Sequence, residues 1–369
     1  MNKEPKVALV FDWLTTAGGA EQVNRELLEI FPNAKIFTSL YNPQKVKGFE
    51  NAEIETSFIQ KIPFAKKKHQ IFLPLMPYAY ESFDLSEYDI VISSSHSCAK
   101  GVITKPETTH ICYCHTPMRY AWDNWHEYIN QYKINWFVKK LSKKMMHKIR
   151  IWDKLSADRV DHFIANSSTT KKRITKYYRK DSKVIFPMLD TSKYKIAKKT
   201  KGYFLAVGRL IPYKRFDLII EAFNELGIEL KIAGTGIMND ELRAIANENI
   251  EFLGYVSDED LLKAYSECEA LIFPQLEDFG ITPLEAMASG RPVIAYGKGG
   301  ALDTIIDGTT GMYFKKQTKE SLINKIKEFQ KIKNKFNTIE IQKHAQKFDK
   351  KVFQKQILEF VKEKHKASK

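Results

Sequence analysis

One local pattern recurs along most of this sequence: a short apolar run, then a stretch with helical periodicity. Val7–Phe11 is such a run, and Gly18-Gly19 opens a helical pattern that continues through Ile30. Ile36–Ser39, Ile90–Ser93, His110–Cys114 and Phe163–Asn166 are further strand candidates. Short apolar runs joined by helical segments predict a parallel sheet with crossover helices. The stretch Thr191–Lys201 is polar and lysine-rich and reads as a linker. The pattern then restarts, with strands at Tyr203–Val207, Glu229–Ile232, Ile250–Phe252, Ala270–Phe273 and Val293–Ala295. Helices are predicted at Phe216–Leu226, Asn239–Ala246, Asp258–Ser266 and Pro283–Ala288. Ser257 and Asp260 have the spacing of a capping box, Pro283 suits the first helical position, and Gly290 suits the C-cap. The expected class is α/β, with two Rossmann-like domains and a cleft between them. The expected boundaries are 1–190 for the first domain, 191–201 for the linker and 202–345 for the second domain. Residues 346–369 are expected as a helix crossing back to the first domain.

A length of 369 residues fits two cores better than one, and 43% hydrophobic residues can fill them. Met1–Lys6 is charged and Val7–Val10 is too short for a signal peptide, and no run is long and apolar enough to span a bilayer. The cysteines, Cys98, Cys112, Cys114 and Cys268, do not make a disulfide framework, which points to the cytoplasm. Cys112 and Cys114 form a CxC without a second pair at zinc spacing, so buried strand cysteines are expected. His96, His110, His115 and His126 show no metal-binding spacing, and no metal is expected. The net charge is +15, and residues 101–190 hold 18 basic against 8 acidic side chains. Such an excess suits nucleic acid, an anionic membrane or an anionic ligand.

Four segments carry candidate chemistry. Glu277-Asp278-Phe279-Gly280-Ile281-Thr282-Pro283-Leu284-Glu285 runs from a strand into a helix start. Free N–H groups and the dipole there favour an anion, and carboxylates accept hydrogen bonds from sugar hydroxyls. A solvated loop Glu and a helix-start Glu are the plain alternative. Gly208-Arg209-Leu210-Ile211-Pro212-Tyr213-Lys214 follows another strand; Arg209 suits a diphosphate and Lys214 adds a point charge, though a basic surface turn has the same composition. Gly18-Gly19 can meet a phosphate through backbone N–H or can be a tight turn. Gly234-Thr235-Gly236 lacks the rest of a dinucleotide fingerprint and reads as a turn near the nucleotide. His115, at a strand's carboxyl end, can hydrogen-bond a hydroxyl or serve structure alone.

Together, Gly18-Gly19-Ala20-Glu21, Tyr113 through Asp123, Gly208-Arg209 with Lys214, and Glu277 through Glu285 resemble the retaining GT-B glycosyltransferases of the large family four, whose E-x7-E element the last segment matches. The resemblance covers nearly the entire chain. It implies that Gly18 and Gly19 approach the donor through backbone N–H and that His115 contacts the donor sugar near the reacting carbon. Arg209 and Lys214 would hold the diphosphate, Glu277 the sugar hydroxyls and Glu285 the ribose. Phe279, Gly280 and Ile281 would offer backbone N–H groups, and the base would stack near Tyr255-Val256. The implied reaction moves a hexosyl group from a nucleoside diphosphate sugar, without a metal, to a saccharide or lipid-linked acceptor. The segment His115–Asp123 is similar to that of mannosyltransferases of O-antigen or exopolysaccharide assembly, which implies GDP-mannose as donor.

The stretch Lys133–Lys154 contains eight Lys or Arg and one Asp, with Ile134, Val138, Leu141, Met145, Ile149 and Trp152 near one helical face. It packs on a core or lies on an anionic membrane at the inner face of the plasma membrane, with Lys66-Lys67-Lys68 beside Phe64 and Phe72 adding charge. Three rivals to glycosyl transfer are a sugar-nucleotide epimerase of the same architecture, a glycoside hydrolase and a nucleic-acid binder. Arg209 and Lys214 suit an anion better than water activation, against the hydrolase. No nucleic-acid recognition module is readable, and no nucleic-acid partner is expected.

Overall fold

The computed structural model describes residues 5–16, 18–123 and 136–367, with the backbone alone at 136–139 and 141. His126, Lys133 and Ile134, and the side chains of Val138 and Leu141, lie outside what is described. The chain forms two units, one of residues 1–186 with 354–369 and one of residues 187–353.

Among the described residues the first unit holds a seven-stranded sheet. Its strands are β1 (Val7–Phe11), β2 (Lys35–Thr38), β3 (Ile54–Thr56), β4 (Ile90–Ser95), β5 (Thr109–Cys114), β6 (His162–Ala165) and β7 (Ser182–Val184). They lie in the order β3-β2-β1-β4-β5-β6-β7, every pair parallel. The second unit repeats the plan with β8 (Phe204–Val207), β9 (Leu230–Ala233), β10 (Ile250–Gly254), β11 (Leu271–Phe273), β12 (Val293–Tyr296) and β13 (Gly311–Phe314). Their order is β10-β9-β8-β11-β12-β13, again all parallel. In each sheet the chain winds outward on one side, then returns to the other side of the first strand. The reversal falls between β1 and β4, and between β8 and β11. Loops diverge there to opposite faces and leave a crevice at the strands' carboxyl ends.

Central strands are buried on both faces, as parallel sheets require; every residue of β4 and β5 is buried, Cys112 and Cys114 included. The helix Phe216–Leu226 packs Leu218, Ile219, Ile220, Ala222 and Phe223 on the second sheet and ends at Gly227, whose φ of 65° is the left-handed cap glycine tolerates. Three strands carry little pattern of their own. β3 and β7 are three-residue edge strands with polar members, and β13 offers only Met312–Phe314 behind a glycine.

Some local expectations shift by a residue. The helix begun by the Glu277 loop starts at Thr282, so Pro283 takes the second helical position. Ser289 is the C-cap, and Gly290 follows it with φ +75°. Ser257 does accept from the Asp260 N–H at 3.1 Å, but its hydroxyl donates to the Asp260 carboxylate at 2.7 Å instead of leaving it to reach back to the backbone. The polar stretch 191–201 belongs to the second unit: Arg291 donates to the Ala197 carbonyl at 3.1 Å and the Lys201 N–H to that of Glu267 at 2.8 Å. The C-terminal helix Lys350–Ala367 packs its later part on the first unit, where Thr109 and His365 share a 3.1 Å hydrogen bond.

The basic helix runs from Trp136 to Asp158. Ile149 and Met146 of this helix belong to the first unit's core and Trp152 packs against it, so this part of its apolar face is covered by protein. Lys100 and Asp153 form a fully buried ion pair beneath it, and the other Asp153 oxygen accepts from Trp122 Nε1 at 2.7 Å and from Tyr178 at 2.9 Å. Removing one partner of such a pair strands the other charge in low dielectric. Asp153→Ala should therefore cost about 3–5 kcal/mol in urea unfolding, with part of the loss restored by adding Lys100→Met. A loss under about 1 kcal/mol contradicts this account of the pair.

Candidate functional site

In both units the crevice at the strand reversal is bridged by a carboxylate. In the second unit the β8 loop carries Arg209 and ends in a 3₁₀ turn, Pro212–Lys214, and the β11 loop carries Glu277. Lys214 Nζ is ion-paired with Glu277 Oε1, which joins the two loops across the reversal. The pair is mostly shielded, at 13% and 19% side-chain exposure. Arg209 sits five residues earlier on the same loop, exposed and without an ion pair to any described residue. One cation is thus held and the other is open, both on the loop at the carboxyl end of β8.

Backbone contacts fix these loops. Gly208 donates to Ala233 O at 3.0 Å, and Leu210 donates to Thr235 O at 2.9 Å. A Cβ at Gly234 would lie 1.9 Å from the Gly208 carbonyl oxygen, so only glycine allows this approach. The turn Gly234-Thr235-Gly236 is therefore the brace of the Arg209 loop. A second brace went unread in the sequence: Gly300 donates to Glu277 O at 2.9 Å, and a Cβ there would lie 2.2 Å from Phe279 O. The signal for it is Gly299-Gly300 shortly after β12, a glycine pair at another strand's carboxyl end.

Phe279 is buried and adds a side chain to the core, whereas Gly280 and Ile281 donate their N–H groups to no described residue. The following helix, Thr282–Ala288, carries Glu285 in its first turn. Tyr265 donates to Glu285 Oε2 at 2.6 Å and Tyr194 to Oε1 at 3.4 Å. Burial pushes the Glu285 carboxyl above its usual range, and the two phenols oppose that rise. Both tyrosines were missed, because nothing in their own neighbourhoods marks them as partners of a distant Glu. Tyr255 is 87% exposed after β10, beside half-buried Val256, and the β10 loop is tied in by Gly234 donating to Gly254 O at 2.8 Å.

The first unit bridges its crevice differently. Asp12, directly after β1, is 2% exposed. Its Oδ2 accepts from the His96 and Ser97 N–H groups at 2.6 and 2.9 Å, and Oδ1 from Cys98 and Ala99 at 2.7 Å each. His96 Nδ1 lies 3.0 Å from Oδ2, and the His96 ring meets Trp13 edge-on at 4.8 Å. Neither Asp12 nor His96 had been singled out, although an Asp that ends an apolar strand was a readable sign. Gly18 and Gly19 are exposed at the start of the helix Gly19–Ile30. His115 directly follows β5, where Nε2 shares a 2.8 Å hydrogen bond with Ser94, and its ring is 6.3 Å from that of His96. The segment after it is pinned by Arg173, paired with Asp123 at 2.8 Å, and by Trp122 stacked on Tyr177. No group of three or more His, Cys, Asp or Glu side chains among the described residues is placed to hold a metal ion.

Burial holds His115 and His110 neutral, pushing the first down to about 3 and the second to about 4. In the unfolded chain both titrate near 6.5. Above that pH neither state is charged at these rings. As pH falls below it, the unfolded chain takes up protons that the native state refuses, until the native pKa is reached. Stability should drop on acidification by up to about 1.4 kcal/mol per pH unit for each ring, less for His115, which keeps part of its surface in water. Urea midpoints at pH 7 and pH 5 check this, and equal midpoints contradict it.

Comparison with known proteins accords with this geometry. The model of Glycosyltransferase Family 4 matches residues 17–193, and that of Glycosyl transferases group 1 matches residues 190–352. The alpha-1,3/1,6-mannosyltransferase ALG2 of Dictyostelium discoideum is 26% identical over 214 residues, 44% of this chain and 51% of that protein. The O-antigen chain mannosyltransferase RfbU of Salmonella typhimurium is 32% identical over 153 residues, 38% of this chain and 43% of that one. The matched stretch thus spans no more than 51% of either relative. In fold the chain is similar to Anabaena HepE in complex with UDP, with TM-score 0.72 and 18% identity over 97% of this chain and 100% of that one. Sucrose-phosphate synthase from Thermosynechococcus elongatus gives TM-score 0.75 and 15% identity over 98% and 100%. With two reversing parallel sheets and adjoining family matches from residue 17 to residue 352, the chain is a GT-B glycosyltransferase of the family-four type.

Proposed function

We propose that this glycosyltransferase moves a hexosyl group, with retention, from a nucleoside diphosphate sugar to a saccharide or lipid-linked acceptor, with the donor held at the carboxyl ends of β8 and β11. The observation that carries the reading is the Lys214–Glu277 pair across the strand reversal, with Arg209 open beside it. A diphosphate arriving there competes for Lys214, whose release leaves Glu277 free to accept from sugar hydroxyls. Arg209 clamps the phosphates, Glu285 takes the ribose, and the Gly280 and Ile281 N–H groups face sugar and phosphate. Tyr255 and Val256 support the base. His115, Gly18 and Gly19 are the first unit's proposed share of the binding residues.

In the proposed reaction the bond from the anomeric carbon to the phosphate oxygen breaks while the acceptor oxygen attacks from the same face. The acceptor proton passes to the leaving phosphate oxygen. Charge builds on that diphosphate, and fixed cations stabilise it without rearranging in the transition state. No metal takes part in this scheme. The names of the relatives support mannose, and that of RfbU supports an O-antigen chain as the product; GDP-mannose as donor and assembly of a cell-surface polysaccharide from the cytoplasmic side complete the proposal. The solved structure that holds UDP keeps a uridine donor in the comparison.

A panel of sugar nucleotides, read by thermal shift and nucleotide release, names base and sugar together. One donor should stabilise the chain well above the others; epimerised donor without transfer would point to the rival chemistry. With that donor, Lys214→Ala should lower turnover about 100- to 1000-fold while leaving the fold intact. A near-normal rate removes Lys214 from the reaction. Glu285→Gln separates binding from stability. The Glu285 carboxyl titrates above its unfolded value, so it favours folding at low pH and loses that contribution as pH rises through its native range. At neutral pH the Gln variant should melt no lower than the parent yet bind nucleotide more weakly, and a lower melting temperature with unchanged binding contradicts the assignment.

A further inference from the structure

The segment from Thr56 to Tyr80 contains no acidic residue and holds Lys61, Lys66, Lys67 and Lys68. All four lysines are exposed, and none forms an ion pair with a described residue. Large apolar side chains stand among them in water: Phe64 at 75% exposure, Ile71 and Tyr78 at 67%. Phe64 has φ +62°, a left-handed conformation that costs a bulky residue energy, and its carbonyl is held there by the Lys67 and Lys68 N–H groups at 3.0 Å each. The strained turn presents an aromatic ring outward instead of burying it. The inner face of the segment is ordinary core, with Ala65, Leu73 and Met76 buried. The outward set is therefore not a failure of packing.

A second exposed set of the same kind lies on the helix joined to this segment. Glu81 accepts from Trp152 Nε1 at 2.8 Å and from Arg159 at 2.9 Å, which fastens the helix Met76–Glu81 to the helix Trp136–Asp158. On the exposed side of that long helix Lys144 and Lys148 are followed by Ile151 and Leu155, at 49% and 59% exposure. Exposed aliphatic groups among unpaired cations are the chemistry of an anionic bilayer: the charges meet headgroups and the apolar side chains enter the hydrocarbon boundary. A nucleic acid would want the cations but gains nothing from Ile71, Ile151 or Leu155.

We propose that this face, centred on Phe64, Ile71 and Tyr78 with Lys66–Lys68, docks the protein onto an anionic lipid surface. The inner side of the same segment reaches the first unit's crevice. His69 packs on Trp13 with ring centres 4.6 Å apart and a 35° tilt, and its Nδ1 lies 3.5 Å from the Thr15 hydroxyl. Docking would thus set that crevice next to the headgroups. The proposal uses nothing from the donor site, so either reading can fail alone.

Co-sedimentation with phosphatidylcholine vesicles, with and without phosphatidylglycerol, tests it on the full chain. The parent protein should pellet only with the anionic vesicles. Lys66→Gln, Lys67→Gln and Lys68→Gln together should weaken binding roughly a hundredfold. Phe64→Asn with Ile71→Ser should weaken it about tenfold or more. Both variants should keep the parent's melting temperature and its thermal shift with donor nucleotide, because the altered groups are exposed. Failure of the parent to pellet would overturn the proposal. Binding unchanged by the Phe64/Ile71 pair, or matched by a single-stranded RNA competitor, would overturn it too, since a polyanion site needs charge alone.

Discussion

A parallel sheet whose strand order reverses leaves two adjacent loops diverging from neighbouring strands, and something must hold them in register. In this protein a carboxylate does so in each unit. Asp12, at the end of β1, gathers four backbone N–H groups of the loop after β4. Glu277, after β11, grips the Lys214 ammonium of the loop after β8. Charge-assisted bonds are strong enough to fix loop geometry that packing alone leaves soft. The two solutions differ in what they leave available. Asp12 is consumed by backbone donors and works as a rigid staple. The Glu277 bond is to a side chain, which unlike a backbone donor can turn to another partner.

Electrostatics around the two bridges are set by burial more than by neighbouring charge. His115 and His110 stay neutral because their surroundings exclude water, and Glu285 resists ionisation for the same reason. The neutral imidazole of His115, past the carboxyl end of β5, suits hydrogen bonding to a hydroxyl. A partly desolvated carboxylate held by two phenols suits a hydroxyl pair such as a ribose, because its acceptor atoms are already oriented. Lys100 and Asp153 show the other outcome, in which a buried charge pair is closed off entirely and anchors the long basic helix.

Much of this was readable from the chain. The central strands β1, β8 and β11 are apolar throughout and β4 and β5 hold apolar stretches, because both faces of these strands are covered, and such runs stand out. The loops after β8 and β11 were identified because Arg209, Lys214 and Glu277 sit directly behind those runs. What escaped notice had its cause elsewhere in the chain. β3 and β7 are edge strands that need no apolar pattern. Tyr194 and Tyr265 gain meaning only by meeting Glu285, a partner 91 and 20 residues away. Gly300 is required by the Phe279 backbone, not by any turn of its own. The apolar face of the basic helix was visible as a stripe, yet periodicity does not say what covers it; Ile149 turns inward while Ile151 stays in water.

The central claim is that a donor diphosphate replaces Glu277 as the partner of Lys214 at the reversal between β8 and β11. A crystal structure of the chain with its best-stabilising sugar nucleotide reads this directly. The account predicts phosphate oxygens on Lys214 and Arg209, the ribose on Glu285, and Glu277 turned to the sugar. A nucleotide bound away from these strand ends, with the Lys214–Glu277 pair undisturbed, would contradict it.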